Sequence, residues 1–149
     1  MAKFVYRMQN ILEIKQKLES QAKADYGLAN ARLLEEQQKL QEILVRKAGY
    51  EQRAKELVSG SLHVSDIRDN KRAIEAMKAI MRRQMSEVQN AERKVEAARV
   101  RLQQIMTERK THEKLKEHAF EEYLQEQGQE ENKMVDELVS YTYHEREEE

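Results

Sequence analysis

Cysteine, proline and tryptophan do not occur in this 149-residue sequence, and aromatic residues make up 5% of it. Without cysteine the chain can form neither disulfides nor thiol chemistry, which suits a reducing compartment. Its first residues lack the apolar stretch of a signal peptide, and no run approaches the roughly 20 apolar residues of a membrane span. These absences predict a cytoplasmic protein that does not insert into the membrane.

Strong helix formers dominate the residues that are present, and 37% of the chain is charged. Because no proline interrupts them, long helices can continue without a break. The composition is close to that of coiled coils and long helices. Disorder is the alternative interpretation, but the apolar residues recur periodically and are not sparse and scattered, which argues against it.

A second helix is predicted over about 65–142, because its apolar residues recur at alternating spacings of three and four. A 3.5-residue repeat of this length produces a narrow seam that must lie against another helix. The pattern continues through Arg109 and His112 and then resumes loosely. The predicted seam consists of Ile74, Met77, Met81, Gln84, Val88, Ala91, Val95, Ala98, Leu102 and Ile105.

A first helix is predicted over about 3–58, with a less regular seam. Spacings of 3-3 near Ile11 and 4-4 near Ala22 predict local shifts of the seam, like the stammers and stutters of coiled coils. The predicted seam consists of Phe4, Met8, Ile11, Ile14, Leu18, Ala22, Tyr26, Ala29, Leu33, Glu36, Leu40, Ile43, Lys47, Tyr50, Ala54 and Leu57.

A turn is predicted over 59–64, between the two helices. Gly60 fits the position after a helix C-terminus, with Lys55 in the preceding turn, and Ser65 followed by Asp66 fits an N-cap. The sequence therefore predicts an all-α fold, with two long helices in an antiparallel coiled-coil hairpin and the second helix longer. Residues 1–149 would form one domain that ends in an acidic tail, 143–149.

The early turn leaves the C-terminal residues without an internal partner. If the turn is centred near residue 61, residue i lies opposite residue 122 − i, so residues beyond about 121 are unpaired. Such a helix is marginal in water and needs a partner. Residues 111–149 also hold 4 basic against 13 acidic residues. The apolar residues of this overhang are Tyr123, Leu124, Met134, Val135, Leu138, Val139, Tyr141 and Tyr143.

The sequence predicts no catalytic, cofactor or metal site. His112 and His118 are six residues apart, about 240° around a helix, so they cannot close on one metal from a single helix. Carboxylates on a two-helix surface lack the cavity that shifts pKa values for catalysis. A basic cluster around Lys71 and Arg83 lacks aromatic residues for base stacking, so a protein partner or plain solvation is favoured over nucleic acid.

A second candidate binding surface lies on the side of the predicted hairpin. Ile80 and Met85 fall outside the strict seam, and Ile43 and Tyr50 lie at about the same height on the facing helix. Flexible methionine side chains adapt to varied partners.

The uneven hairpin and three stretches of sequence resemble the FliJ family of flagellar export proteins. These stretches are Phe4–Ile14, the middle segments Glu108–Lys110 and Glu113–Leu115, and Lys133–Leu138 near the C-terminus. The resemblance covers nearly the whole chain. It implies a protein that is a monomer when free and similar to the central stalk of rotary ATPases.

The resemblance also implies partners and contact residues. The termini would enter the hexameric flagellar export ATPase, and the side of the hairpin would contact the cytoplasmic domain of the export-gate protein FlhA. The protein would help cycle export chaperones at the inner face of the membrane, at the flagellar base. The predicted ATPase contacts are Tyr123, Leu124, Met134, Leu138 and Tyr141. The predicted gate contacts are Tyr50, Met77, Ala79, Ile80 and Arg83.

Two other functions remain open from the sequence. An export chaperone or escort would shield substrate helices along an exposed apolar stripe. A structural tether would dimerise through the long seam.

Overall fold

The computed structural model describes residues 3–148 and consists of two long helices packed against each other. Helix α1 spans Gln9–Val58 and helix α2 spans Val64–Glu148. The described chain is 92% helical and contains no strand. The predicted fold of two long packed helices, the second longer than the first, is confirmed.

The helix boundaries differ from the predicted ones at both ends of the chain. α1 begins at Gln9 and not near residue 3, and the amide of Gln9 donates to the carbonyl of Tyr6 at 3.1 Å. α2 continues through Glu148, so the predicted tail is helical as far as the description extends, and Glu149 lies outside it. Residues 143–148, predicted to be a tail, are therefore part of α2.

The loop between the helices differs from the predicted cap at one residue. The carbonyl of His63 accepts from the amide of Ile67 at 3.1 Å, so His63 and not Ser65 precedes the first helical residue. Asp66 lies in the first turn of α2 and Lys55 in the last turn of α1, as predicted from the helix macrodipole. Gly60 follows α1, but within residues 3–148 no residue has a positive φ, so no left-handed cap forms.

Contacts divide the chain into two compact units. The turn unit is Gln21–Gln103, and the terminal unit is Met1–Ser20 with Gln104–Glu149. The prediction of a single coiled-coil domain stays a prediction.

The core of the turn unit follows the seam predicted for α2. Met77, Val88 and Ala91 are buried, and the remaining predicted α2 positions in this unit are half-buried. The side-chain amide of Asn70 donates to the carbonyl of Tyr50 at 3.1 Å, and that of Gln84 donates to the carbonyl of Glu36 at 2.9 Å. In both pairs the residue numbers sum to 120, close to the predicted 122, so the helices of this unit run antiparallel.

The core of the terminal unit follows the predicted seam on α2, at Ile105, but departs from it on α1. Leu12 is 2% exposed and Ile105 8%, whereas Ile11 is 39% and Ile14 55% exposed. Glu19 is also buried, at 6% exposure. The predicted seam through Met8, Ile11 and Ile14 is therefore wrong, because Leu12 and its heptad successors occupy the interface.

One heptad repeat runs along each helix, over Leu12–Lys47 of α1 and Ile67–Tyr123 of α2, and accounts for the exposure of Ile11 and Ile14. The next predicted position of α1, Tyr50, is 39% exposed. Every position of α2 in an alternating three- and four-residue spacing from Ile67 to Tyr123 is buried or half-buried. A facing helix must keep the same repeat to remain in contact, so α1 does not shift its seam. Its shielded positions, half-buried or buried, include Leu12, Lys15, Glu19, Ala22, Tyr26, Ala29, Leu33, Glu36, Leu40, Ile43 and Lys47.

Candidate interaction surfaces

An aromatic cluster forms where the N-terminal segment meets α2. The ring centroid of Phe4 lies 5.1 Å from that of Phe120, edge to face, and 5.4 Å from that of Tyr123. Such ring geometries are favourable beyond simple burial. Tyr123 is half-buried, so the expectation that residues beyond about 121 lack an internal partner is wrong for this residue.

The reach of the N-terminal segment explains how Phe4 meets Tyr123. Residues 3–6 have no regular secondary structure. Extended chain advances about 3.3 Å per residue, against about 1.5 Å in a helix. Phe4 therefore reaches residues 120–123, past the neighbourhood of His118 that helical pairing predicts.

The rest of the predicted ATPase-contact surface is exposed on α2. Leu124 is 52% exposed, Met134 64%, Leu138 64% and Tyr141 66%. Every side chain from residue 129 to residue 147 is exposed. Met134, Leu138 and Tyr141 have the spacing i, i+4, i+7, so they share one face of the helix. We call these three residues the C-terminal stripe.

Acidic residues surround the C-terminal stripe. Residues 129–147 contain six acidic residues against Lys133 and Arg146. Glu145 and Glu147 near the C-terminus oppose the helix macrodipole, whereas Arg146 in the last turn favours it. An apolar stripe with an acidic surround fits a partner that offers apolar contacts flanked by basic groups.

Charged residues occupy seam positions in the terminal unit. The guanidinium of Arg109 pairs with the carboxylate of Glu19 and donates to Glu113 at 2.8 Å. The hydrogen bond to Glu113, assisted by Glu19, raises the pKa of Arg109 above its ordinary value. Lys15 donates to Glu108 at 2.7 Å, and this bond lowers the pKa of Glu108. The Glu19–Arg109 and Lys15–Glu108 pairs join the two helices in this register, whereas the Arg109–Glu113 bond lies within α2.

His112 and His118 differ in exposure. His112 is half-buried in the seam and His118 is exposed. Over the described chain, no three His, Cys, Asp or Glu side chains come together in a way that could hold a metal ion. Across residues 3–148, neither helix has a segment long and apolar enough to cross a membrane.

The predicted gate-contact residues divide by exposure. Ile80 is 44% and Tyr50 39% exposed, and Ala79 and Arg83 are also exposed. Met77 is 7% exposed, because its seam position turns its side chain into the core. Four of the five residues are therefore accessible, and Met77 is not.

A polar layer lies in the seam of the same unit. Gln84 donates to the carboxylate of Glu36 at 2.5 Å as well as to its carbonyl, and Arg32 pairs with this carboxylate at 3.0 Å. The hydrogen bond from Gln84, together with Lys39 and Arg32, lowers the pKa of Glu36. The carboxylate of Glu36 is therefore held charged while its side chain is 4% exposed.

Three aliphatic residues around the loop were not identified from the sequence as a surface. Val58 is 66% exposed, Leu62 65% and Val64 67%. The sequence feature that indicates this surface is the presence of aliphatic side chains in an otherwise polar turn, because solvation alone would favour polar residues there.

The structure defines an all-helical protein of two long packed helices that presents exposed side-chain surfaces. The chain belongs to the FliJ family, because the family model described as "Flagellar FliJ protein" matches residues 4–148. It is therefore a component of the type III export apparatus.

Among solved structures, the fold is similar to that of a YscO homologue from Chlamydia trachomatis. The identity is 19%, the TM-score is 0.66, and the match covers 99% of each chain. At this identity the likeness shows the fold alone. No curated protein matches the sequence.

Proposed function

We propose that this chain is the stalk-like component of the flagellar export apparatus that binds the hexameric export ATPase through the C-terminal stripe. The observation that carries this proposal is the uninterrupted exposure of residues 129–147, with Met134, Leu138 and Tyr141 on one face. An exposed apolar helix face of this length suits burial against another protein.

The proposed mechanism rests on asymmetry. A single hairpin inside a six-fold ring cannot satisfy six equivalent sites at once. Each ATP-driven change in the ring then favours a new orientation of the hairpin by differential binding. The chain would thereby help couple ATP hydrolysis to protein export.

Truncation before residue 129 tests this proposal. The shortened chain keeps Phe4, Phe120 and Tyr123, so its thermal melting should change little while ATPase binding is lost. Within the full chain, Leu138→Ser should weaken binding, and Leu28→Ser, at 70% exposure, is the matched control. ATPase binding that survives both the truncation and Leu138→Ser would refute the proposed contact.

The exposed residues Tyr50, Ala79, Ile80 and Arg83 are the proposed contact with the FlhA cytoplasmic domain. Ile80→Ser should reduce capture of that domain. Val100→Ser is the control, because Val100 is 39% exposed on the same helix, close to the 44% of Ile80. If both variants capture the FlhA cytoplasmic domain equally, the contact with this domain does not include Ile80.

The same proposal places the chain at the inner face of the membrane, at the flagellar base, where it would help cycle export chaperones.

Two measurements distinguish the proposed stalk from the chaperone and tether alternatives. A chaperone binds unfolded export substrates without the ATPase, and a tether is a dimer in light scattering, whereas the proposed stalk is a monomer.

A further inference from the structure

The loop between α1 and α2 carries an apolar surface that the proposed contacts do not use. Val58, Leu62 and Val64 are each about two-thirds exposed. Beside them lies a cavity of about 220 Å³, lined chiefly by apolar residues that include Leu57, Ile67 and Ile74. We call this surface, with its three exposed aliphatic residues and its cavity, the loop patch.

The cavity is large enough to hold a side chain of a partner. An apolar cavity of about 150 Å³ in another protein accommodates benzene. A leucine or phenylalanine side chain can therefore fit a space of about 220 Å³. Asn70 lines the cavity, but its amide is already engaged with the carbonyl of Tyr50 at 3.1 Å, so the site offers mainly apolar contact.

Basic side chains border the loop patch. Lys71 lines the cavity, and Val64, Arg68 and Lys71 share a face of α2 through their spacing of i, i+4, i+7. On α1, Lys55 is three residues before Val58, one helical turn away.

These basic groups are available to a partner. Within residues 3–148, Lys55, Arg68 and Lys71 form no ion pair with a carboxylate. Two of the neighbouring acids are engaged elsewhere, since Glu51 pairs with Lys47 at 3.0 Å and Glu75 with Lys78 at 3.3 Å.

The loop also contains acids, but their spacing separates them from this border. Asp66 is two residues from Arg68, and Asp69 is two residues from Lys71. Glu56 is next to Lys55, and Asp69 is also next to Arg68. Residues one or two apart do not face each other on a helix. The border of the cavity is therefore basic although the loop as a whole is mixed.

We propose that the loop patch binds an acidic amphipathic helix of a partner protein, with one of its leucine or phenylalanine side chains in the cavity and its carboxylates against Lys55, Arg68 and Lys71. Apolar anchors supply contact area, and complementary charges set the orientation and the rate of encounter. The cavity, which is lined by Val58 of the three exposed residues, favours a protein side chain over a membrane, because a membrane contact needs exposed apolar residues and basic charge but no cavity. The proposal is independent of the ATPase contact, which uses a different unit of the chain.

The test uses the full chain and a short labelled peptide whose leucine and glutamate residues lie on opposite faces of a helix. A scrambled peptide of equal composition is the control. Fluorescence anisotropy should show binding of the amphipathic peptide that weakens as salt rises, and weaker binding of the scrambled peptide. Absence of binding, or equal binding of the two peptides, overturns the proposal.

Matched variants locate the site. Lys71→Glu should weaken peptide binding about tenfold, because charge reversal at the border adds repulsion. Arg93→Glu makes the same change of charge at an exposed position of α2 away from the loop and should leave binding unchanged. Leu62→Ser should also weaken binding, with Leu28→Ser as its control. If Lys71→Glu and Arg93→Glu, or Leu62→Ser and Leu28→Ser, change peptide binding equally, the peptide does not bind at the loop patch.

A parallel titration with vesicles of phosphatidylglycerol and phosphatidylcholine distinguishes the remaining occupant. If the unmodified chain binds vesicles but not the peptide, and Leu62→Ser and Lys71→Glu abolish the vesicle binding, the loop patch contacts a membrane surface and the proposed protein partner is overturned. Peptide binding without vesicle binding supports it.

Discussion

The turn unit and the terminal unit follow the same heptad spacing but fill it with different residues. In the turn unit Met77 and Val88 are buried, and the buried carboxylate of Glu36 accepts from the neutral amide of Gln84. In the terminal unit, Glu19 and Arg109 pair across the seam while Ile14 remains 55% exposed. The comparison shows that the position of a residue in the repeat decides whether it faces the other helix, even where an apolar residue lies one position away.

The largest expected effect separates two neighbours in the terminal unit. Leu12→Ala should lower the free energy of unfolding by about 2–4 kcal/mol, because it leaves a gap at a residue that is 2% exposed. Ile11→Ala should cost less than about 1 kcal/mol, since Ile11 is 39% exposed. Urea unfolding followed by circular dichroism measures both. A greater loss for Ile11→Ala would restore the seam through Met8, Ile11 and Ile14.

The fold was predictable where hydrophobicity and heptad position agree. Along α2 from Ile74 to Ile105 every predicted seam residue is buried or half-buried. The sequence pattern failed at Ile11 and Ile14. Two heptad registers overlap in this part of α1, and the sequence of α1 alone does not show which of them faces α2. That choice depends on contacts across the pair, such as Lys15 with Glu108 at 2.7 Å.

The candidate surfaces were predictable only in part, for a related reason. The exposure of Met134, Leu138 and Tyr141 follows from the early position of the turn. The pairing of Tyr123 with Phe4 does not, because it depends on the N-terminal residues leaving the helix. Contact with the ATPase and with FlhA stays a prediction.

The second expected effect concerns the ion pair in the seam of the terminal unit. Arg109→Met should lower the melting temperature, because it leaves the buried carboxylate of Glu19 without its guanidinium partner. The double variant with Glu19→Met should recover the loss, since two apolar side chains suit the same seam positions. If the double variant is no more stable than Arg109→Met, the loss does not come from the unpaired carboxylate of Glu19.

A smaller and more local effect is expected from Phe4. Phe4→Ala removes two ring contacts, with Phe120 and Tyr123, and should cost about 1–2 kcal/mol. Hydrogen exchange should increase near residues 120–123, with little change in the turn unit. Val5→Ala is the control, because Val5 is 77% exposed. If the amides near residues 120–123 exchange equally in Phe4→Ala and Val5→Ala, the aromatic cluster does not hold the N-terminal segment against α2.

The smallest expected effect is a pH dependence in the turn unit. The folded-state pKa of Glu36 is lowered from its ordinary value of 4.5 by Gln84, Lys39 and Arg32. Its contribution to stability is therefore present above about pH 4.5 and is lost as pH falls through the lower folded-state pKa. Glu36→Gln should melt below the unmodified protein at neutral pH and approach it in acid, because protonation removes the same charge. A difference in melting temperature that stays constant across this range would show that Glu36 acts through packing and not through its charge.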